Sequence, residues 1–254
     1  MKTTFTVLSA MCLAGLPAMA GTTVTAIQPA PAASPWSCRV SIYGWVEALN
    51  GDAGIRGFDV PVNITFSEIL QNLDFAFMGA LEIKRGRWGF LADINYATIG
   101  DDLSGPRNTS LDVTLNQFLG NFLVSYEALK TDTMEFDVYA GARVNYMKLE
   151  LDFRGPLGHE HDRSGSESWV DPVIGARFQA DLGHNFFFRA VGDIGGFGAA
   201  SDFTWQAMAG FGYSFHEHGS LLLAYRAIGT DYTNGGFTYD VTTHGPVIGY
   251  EFKF

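Results

Sequence analysis

The chain closes on Val247-Ile248-Gly249-Tyr250-Glu251-Phe252-Lys253-Phe254. In an extended strand Ile248, Tyr250, Phe252 and Phe254 share one face, and Gly249, Glu251 and Lys253 share the other. Aromatics on one side and charges on the other mark a strand lying between an apolar phase and a polar one. Any half-buried strand alternates in this way, so the reading rests on repetition along the chain.

The repetition is extensive. Alternation and turn punctuation predict ten strands, at 39–49, 74–85, 87–99, 110–128, 133–152, 168–182, 185–198, 202–215, 220–230 and 237–254. Each reaches the roughly 9–11 residues that a tilted strand needs to cross a bilayer. The predicted outward sets are uncharged: Phe75, Phe77, Leu81 and Ile83; Trp88, Phe90, Ala92, Ile94 and Tyr96; Phe136, Val138 and Val144; Ile174 and Phe178; Phe186, Phe188 and Ile194; Trp205, Phe211 and Phe215. Charges in the same strands fall on the other parity, among them Lys84, Glu135, Asp137 and Asp181. A lipid-facing Arg or Lys near the midplane costs roughly 2–4 kcal/mol, so this separation has a physical cause. Strand 110–128 departs from it. Val113 and Leu115 share one parity while Phe118, Phe122, Val124 and Tyr126 share the other, which predicts a bulge near Asn116-Gln117 or an upper section clear of the membrane.

Tight turns at Arg85-Gly86-Arg87, Lys130-Thr131-Asp132, Gly183-His184 and Glu217-His218-Gly219 alternate with mostly longer connections at 50–73, 100–109, 153–167, 199–201 and 231–236. Short periplasmic turns and long outer loops give that alternation. The expected fold is therefore all-β, a transmembrane antiparallel up-and-down β-barrel of about ten strands, both ends on the periplasmic side. The 199–201 connection is short for an outer loop. Residues 65–73 predict a short helix in the first outer loop, with a capping box from Thr65 to Glu68 and with Phe66, Ile69, Leu70 and Leu73 needing cover at the mouth or rim. A soluble barrel with its aromatics inside would alternate equally well.

The chain ends favour the membrane. Met1-Lys2, the apolar run Phe5–Leu16 and Ala18-Met19-Ala20 predict a signal peptide over 1–20, cleaved near Ala20. A flexible lead-in over 21–37, with Pro29, Pro31 and Pro35, then precedes a single barrel domain over 38–254. Ile248, Tyr250, Phe252 and Phe254 resemble the C-terminal assembly signal of bacterial outer-membrane barrels, which implies the barrel assembly machinery as a partner. Outer-membrane lipids and lipopolysaccharide are the expected surroundings. Cys12 leaves with the signal, so Cys38 has no intramolecular partner. The 254 residues include 30 Gly and 21 Phe, with 17% charged and a net charge of −11, a balance that disfavours nucleic acid. Beyond the signal no apolar run is long enough for a transmembrane helix.

Inward charges are the main candidates for function. Glu47, Glu82, Asp93, Arg143, Asp171, Arg177, Arg189, Asp193 and Arg226 are predicted to line the lumen. Within this set the four arginines, on separate strands, face Asp93, Glu47, Asp171 and Asp193. A ten-stranded barrel is narrow, so these residues form either a lumen-filling ladder of ion pairs or a thin polar path for small solutes. His159-Glu160-His161-Asp162 and His216-Glu217-His218 have the spacing of metal ligands but lie in loops, where solvation is the commoner fate. Asp101-Asp102 with His161 or Asp162 resembles the Asp/His sets of ten-stranded outer-membrane proteases in residue type and strand-end position, without a shared motif. His244 beside Thr242 and Thr243 is a poor match to a hydrolase His-Ser pair. Gly192–Gly198 lacks the helix that a phosphate loop requires. No catalytic, cofactor or metal residue is assigned.

Trp169–Arg177, Gly192–Gly198, Asp202–Ala207, His244–Gly249 and the block Phe66–Tyr96 resemble a group of largely uncharacterised small Gram-negative outer-membrane barrel proteins. The resemblance implies a fold and a location and no established activity. The expected function is a non-enzymatic outer-membrane barrel, structural or passing small solutes. A binding or adhesion role for the outer loops is the alternative, and a membrane-embedded hydrolase is a third reading.

Overall fold

A computed structural model describes residues 36–55, 58–105, 109–154 and 160–254. The expected signal peptide, most of the lead-in and His159 lie outside them. The elements are β1 Trp36–Trp45, β2 Ala48–Ile55, β3 Phe58–Ile64, α1 Phe66–Gln71, β4 Leu73–Arg85, β5 Trp88–Gly105, β6 Thr109–Lys130, β7 Met134–Arg154, β8 Glu160–Gly183, β9 Phe186–Gly196, β10 Phe203–His216, β11 Gly219–Asn234 and β12 Phe237–Lys253.

Every strand pairs antiparallel with its neighbours, and β1 closes the ring on β12 from Arg39↔Lys253 to Trp45↔Val247. The Phe254 N–H donates to the Cys38 carbonyl at 2.8 Å and extends that seam by one residue. β2 then runs on along β12 from Ala48↔His244 to Ile55↔Phe237, so β1 and β2 form one wall strand broken at Val46-Glu47. β3 is a side arm on β2. The twelve assigned strands thus make a closed ten-stranded up-and-down barrel with two extra strands. Gly245 permits the break, because a Cβ there would lie 1.7 Å from the Val46 carbonyl oxygen.

Several expected loops are strand. The 50–73 connection contains the β2–β3 hairpin, β5 runs up to Gly105, and β8 begins at Glu160. Adjacent strands extending together satisfy one another's backbone groups, which bare loops would leave to water. The bulge expected near Asn116-Gln117 is not present. The β5–β6 register is unbroken from Trp88↔Tyr126 to Gly105↔Thr109, and the irregularity of β6 lies at Glu127/Leu129. The double apolar character of β6 has another cause: Leu119 and Leu123 face an interior that is itself apolar at those levels. β9 and β10 are short, and β9 pairs with β8 only from Val173 downward, so the β5–β8 wall rises above them. That asymmetry accounts for the brief 197–202 turn.

The faces separate as the lipid reading requires. Phe75, Phe77, Trp88, Phe90, Ile174, Phe186, Phe211 and Phe215 are exposed on the outside, whereas Arg143, Arg189 and Arg226 are buried. Outer aromatics gather in two bands. Trp88 packs edge-on against Tyr126, and Tyr250 against Phe252, near the turn end, while Phe75 meets Tyr96 near the hairpin end. Trp88 and Tyr96 lie eight residues apart on β5, roughly 26 Å along a strand and about 20 Å in height after tilt. The turn between β8 and β9 is a two-residue hairpin with both His184 (φ 53°) and Asn185 (φ 67°) left-handed, the geometry that follows strand twist.

Helix α1 packs at the mouth through Ile69 alone. Ile69 joins Leu49, Trp169, Tyr232, Tyr239 and Val241 in a buried cluster, while Phe66 and Leu70 stay exposed. The Thr65 N–H and hydroxyl both donate to Glu68 Oε2 at 2.7 Å, closing the N-terminus of α1. Those bonds hold the Glu68 carboxyl below its ordinary range. The cap is therefore formed at neutral pH and is lost as pH falls through that lowered value.

Burial divides the tryptophans. Single-tryptophan variants in nanodiscs should show quenching of Trp88 (60% exposed) by brominated lipid and protection of Trp45 (6%) and Trp169 (4%). Quenching of Trp169 equal to that of Trp88 would reverse the assignment of faces.

Candidate functional site

The lumen is organised in three levels. The middle level is an ionic deck centred on Arg143, whose side chain is fully buried. Its Nη2 donates to Asp193 Oδ1 at 2.7 Å, Nε to Asn121 Oδ1 at 2.9 Å and Nη1 to Thr204 Oγ1 at 2.9 Å. The Tyr139 hydroxyl donates to the other Asp193 oxygen at 3.0 Å. Alongside, Arg226 Nη2 donates to Asp93 Oδ2 at 2.8 Å and to Gln206 Oε1 at 2.7 Å, and its guanidinium lies 4.9 Å over the Trp45 ring. The Tyr43 hydroxyl also donates to Asp93. Asn121 joins the two halves by donating to Asp93 Oδ2 at 3.3 Å. Side chains from β1, β5, β6, β7, β9, β10 and β11 thus meet in one network.

The lower level is a second deck nearer the turns. Arg177 donates to both Glu82 and Asp137. Lys84 pairs with Asp137 at 3.0 Å and also contacts Glu135. Arg189 engages Glu251 with two nitrogens and donates to Gln179 Oε1 at 2.8 Å. Arg39 reaches Glu82 at 3.3 Å, and its Nε has no partner. Enclosed charges persist only when paired and hydrogen-bonded, because each loses its water.

The upper level is an aromatic cap. Trp169 stacks on Tyr232 with centroids 4.2 Å apart and 7° between planes, and Phe237, Tyr239 and Ile69 pack around them. The Tyr232 hydroxyl donates to Glu167 at 2.7 Å.

Of the nine predicted lumen residues, Glu82, Asp93, Arg143, Arg177, Arg189, Asp193 and Arg226 lie in the two decks. Asp171 stands opposite Arg143 in the β7–β8 register but forms no ion pair with it, Arg143 being tied to Asp193 instead. It accepts from the Ser201 N–H at 2.8 Å and the Ser201 hydroxyl at 2.7 Å, because the β9–β10 turn folds onto mid-β8 just beyond Val173, where the β8–β9 pairing stops. Glu47 sits at the β1–β2 break in a small pocket with Trp45, Asn95 and Thr243, and has no ion pair among the described residues. The predicted lumen set omits Arg39, Tyr43, Asn121, Asp137, Thr204 and Glu251. Parity alone marks Arg39, Asp137 and Glu251 as inward; the neutral partners carry no comparable signal.

The remaining motifs assemble little. His216 and His218 are exposed with ring centroids 6.5 Å apart, and His218 Nδ1 contacts the Lys253 carbonyl. His244 lies on the outer wall, bonded to the Tyr225 hydroxyl at 2.6 Å and Asn50 Oδ1 at 2.7 Å rather than to a serine or threonine. Glu127, Glu135 and Asp137 lie close enough to share a cation, but Lys84 and Lys130 already neutralise them. Gly195 packs against Pro172 and Val173, where a Cβ would lie 2.4 Å from the Pro172 carbonyl oxygen. The side chains of Asp101, Asp102, His161 and Asp162 lie outside the described residues.

Arg143→Met should destabilise the folded barrel by about 3–5 kcal/mol by leaving Asp193 buried and unpaired. Adding Asp193→Leu should restore part of that loss. The urea midpoint of each variant in detergent measures both effects; a neutral R143M would show that the middle deck does not hold the wall.

No protein-family model matches the chain, and no curated protein sequence matches it. Solved structures do. The outer membrane protease OmpT from Escherichia coli aligns over 87% of this chain and 98% of its own, with 10% identity and a TM-score of 0.56. The translocator domain of autotransporter NalP from Neisseria meningitidis covers 85% and 88% at 14% identity, with a TM-score of 0.40. Neisserial surface protein A covers 87% and 98% at 13% identity, with a TM-score of 0.35. At these identities a likeness speaks to architecture and not to activity. The chain has the fold of the Gram-negative outer-membrane β-barrels.

Proposed function

We propose that this chain is an integral protein of the bacterial outer membrane whose barrel is a closed scaffold and not a conducting pore. One observation carries the reading: Arg143 is fully enclosed and tied to Asp193, Asn121 and Thr204 on three other strands. A through-path would have to break that deck and then the Trp169–Tyr232 cap. In this reading the paired lumen charges hold strands together. Residues 1–20 direct export, and Ile248, Tyr250, Phe252 and Phe254 are the assembly signal read by the barrel assembly machinery. The aromatic belt contacts lipid, and the tall hairpins contact lipopolysaccharide. The hydrolase reading gains no support from His244, whose ring bonds to Tyr225 and Asn50.

A second reading, binding by the outer hairpins, is favoured by one feature. Asp231, Asp240 and Asp52 are direct cross-strand neighbours. Like charges so placed are destabilising, and burial together with Asp240 and Asp202 raises the Asp231 carboxyl above its ordinary value. Such a row suits a cationic partner.

Purified full-length protein in planar bilayers should produce no discrete conductance steps, while the same sample shows a heat-modifiable gel shift. Stable unitary currents from the folded band would reject the closed scaffold and favour solute passage.

A further inference from the structure

Between the two ionic decks the lumen contains a cavity of about 130 Å³. Its ceiling is the Tyr43–Asp93–Arg226 group and its floor the Arg39–Glu82–Arg177 group. The belt between them is largely apolar, formed by Leu91, Leu123, Val191, Met208, Leu222 and Val247. This chamber is distinct from the small pocket at Glu47. Its walls come from all ten wall strands, so it is a property of closure and of no local motif.

We propose that this chamber is a binding site for one small, neutral amphiphile with a compact apolar body and a single hydroxyl, of the size of a benzyl alcohol. Three observations specify that class. A dry apolar cavity of about 150 Å³ is enough to hold a benzene ring, and the volume here is close to it. The charged groups lining the chamber are balanced, with Arg39, Arg177, Arg189 and Arg226 against Glu82, Asp93, Asp137 and Glu251. An ionic guest would leave an uncompensated charge in a water-poor space. Finally, the floor retains hydrogen-bonding capacity that the protein does not use. Arg39 Nε and Asp137 Oδ1 are buried and unpartnered, one a donor and the other an acceptor. A hydroxyl both accepts and donates, so it suits a floor that offers groups of both kinds. The apolar body then faces the Leu123 and Leu222 belt.

The site is independent of conduction. A closed upper lumen is compatible with an occupied or an unoccupied chamber, so failure of this proposal leaves the conductance result standing, and the converse also holds. The test is fluorine NMR titration of 4-fluorobenzyl alcohol into the full-length protein in lipid nanodiscs, with protein-free discs as the partition blank. One saturable site per barrel is expected. Ala80 projects into the chamber, so Ala80→Leu should weaken binding by about tenfold or more, within the range that added methylenes produce in apolar pockets. Ala207→Leu, on the exposed outer wall, should bind as the wild type does. Leu123→Ala enlarges the belt and should admit 2-(4-fluorophenyl)ethanol more tightly than the wild type, which keeps the test decisive if A80L does not fold. Signal matching the blank, or equal binding by wild type and a folded A80L, would overturn the assignment.

Discussion

A guanidinium enclosed by a ring of strands can be compensated only by groups that other strands carry. Arg143 states this constraint most fully, because its three bonded partners come from β6, β9 and β10 while it rises from β7. Asn121 is a direct cross-strand neighbour, but the contacts to Asp193 and Thr204 form only when the sheet curls round one interior with its strands in register. A slip of one residue would turn the charge outward, toward hydrocarbon. The deck and the closed wall therefore require each other, and closure also satisfies the backbone groups that an open sheet would present to lipid.

That mutual requirement shapes the barrel's height. Where interior groups are charged, the wall is complete and β1 pairs directly with both β12 and β4. Above Ile42↔Gly79 the β1–β4 pairing ends, and β2, β3 and α1 take over that side. The interior changes with it, from ion pairs to the aromatic cluster around Trp169. Apolar side chains fill space without needing angular precision, so the cap tolerates an irregular rim. Between the decks the chamber remains. In the proposed reading the lumen is shut twice by polar contacts and once by stacking, and these closures underlie both the proposed lack of conduction and the proposed enclosed site.

Much of the wall was legible in residue order. Phe186, Phe188 and Phe211 could be placed outside, and Arg177 and Arg189 inside, because period two leaves only two faces and lipid excludes charge from one of them. The helix at Phe66–Gln71 was legible from Thr65 and Glu68, since capping is local. Pairings were not. Asp171 has the parity of a lumen carboxylate, yet it serves Ser201, because the height at which the β9–β10 turn comes down depends on strand lengths that alternation does not encode. Arg39 and Glu251 carry the inward parity, but their deck exists only where the first and last strands meet β4 and β9.

Sequence alone determined that this chain would form strands, which side of each would be greasy, and roughly where each would reverse, because these follow from contacts within a few residues. Tertiary structure decided which charge meets which, that β2 and β3 would extend one seam, and that a chamber would lie between two decks. Those outcomes depend on the shear and curvature of a closed ring, where residues as far apart as Tyr43 and Arg226 come within 3.2 Å. Distance along the chain carries no record of that approach.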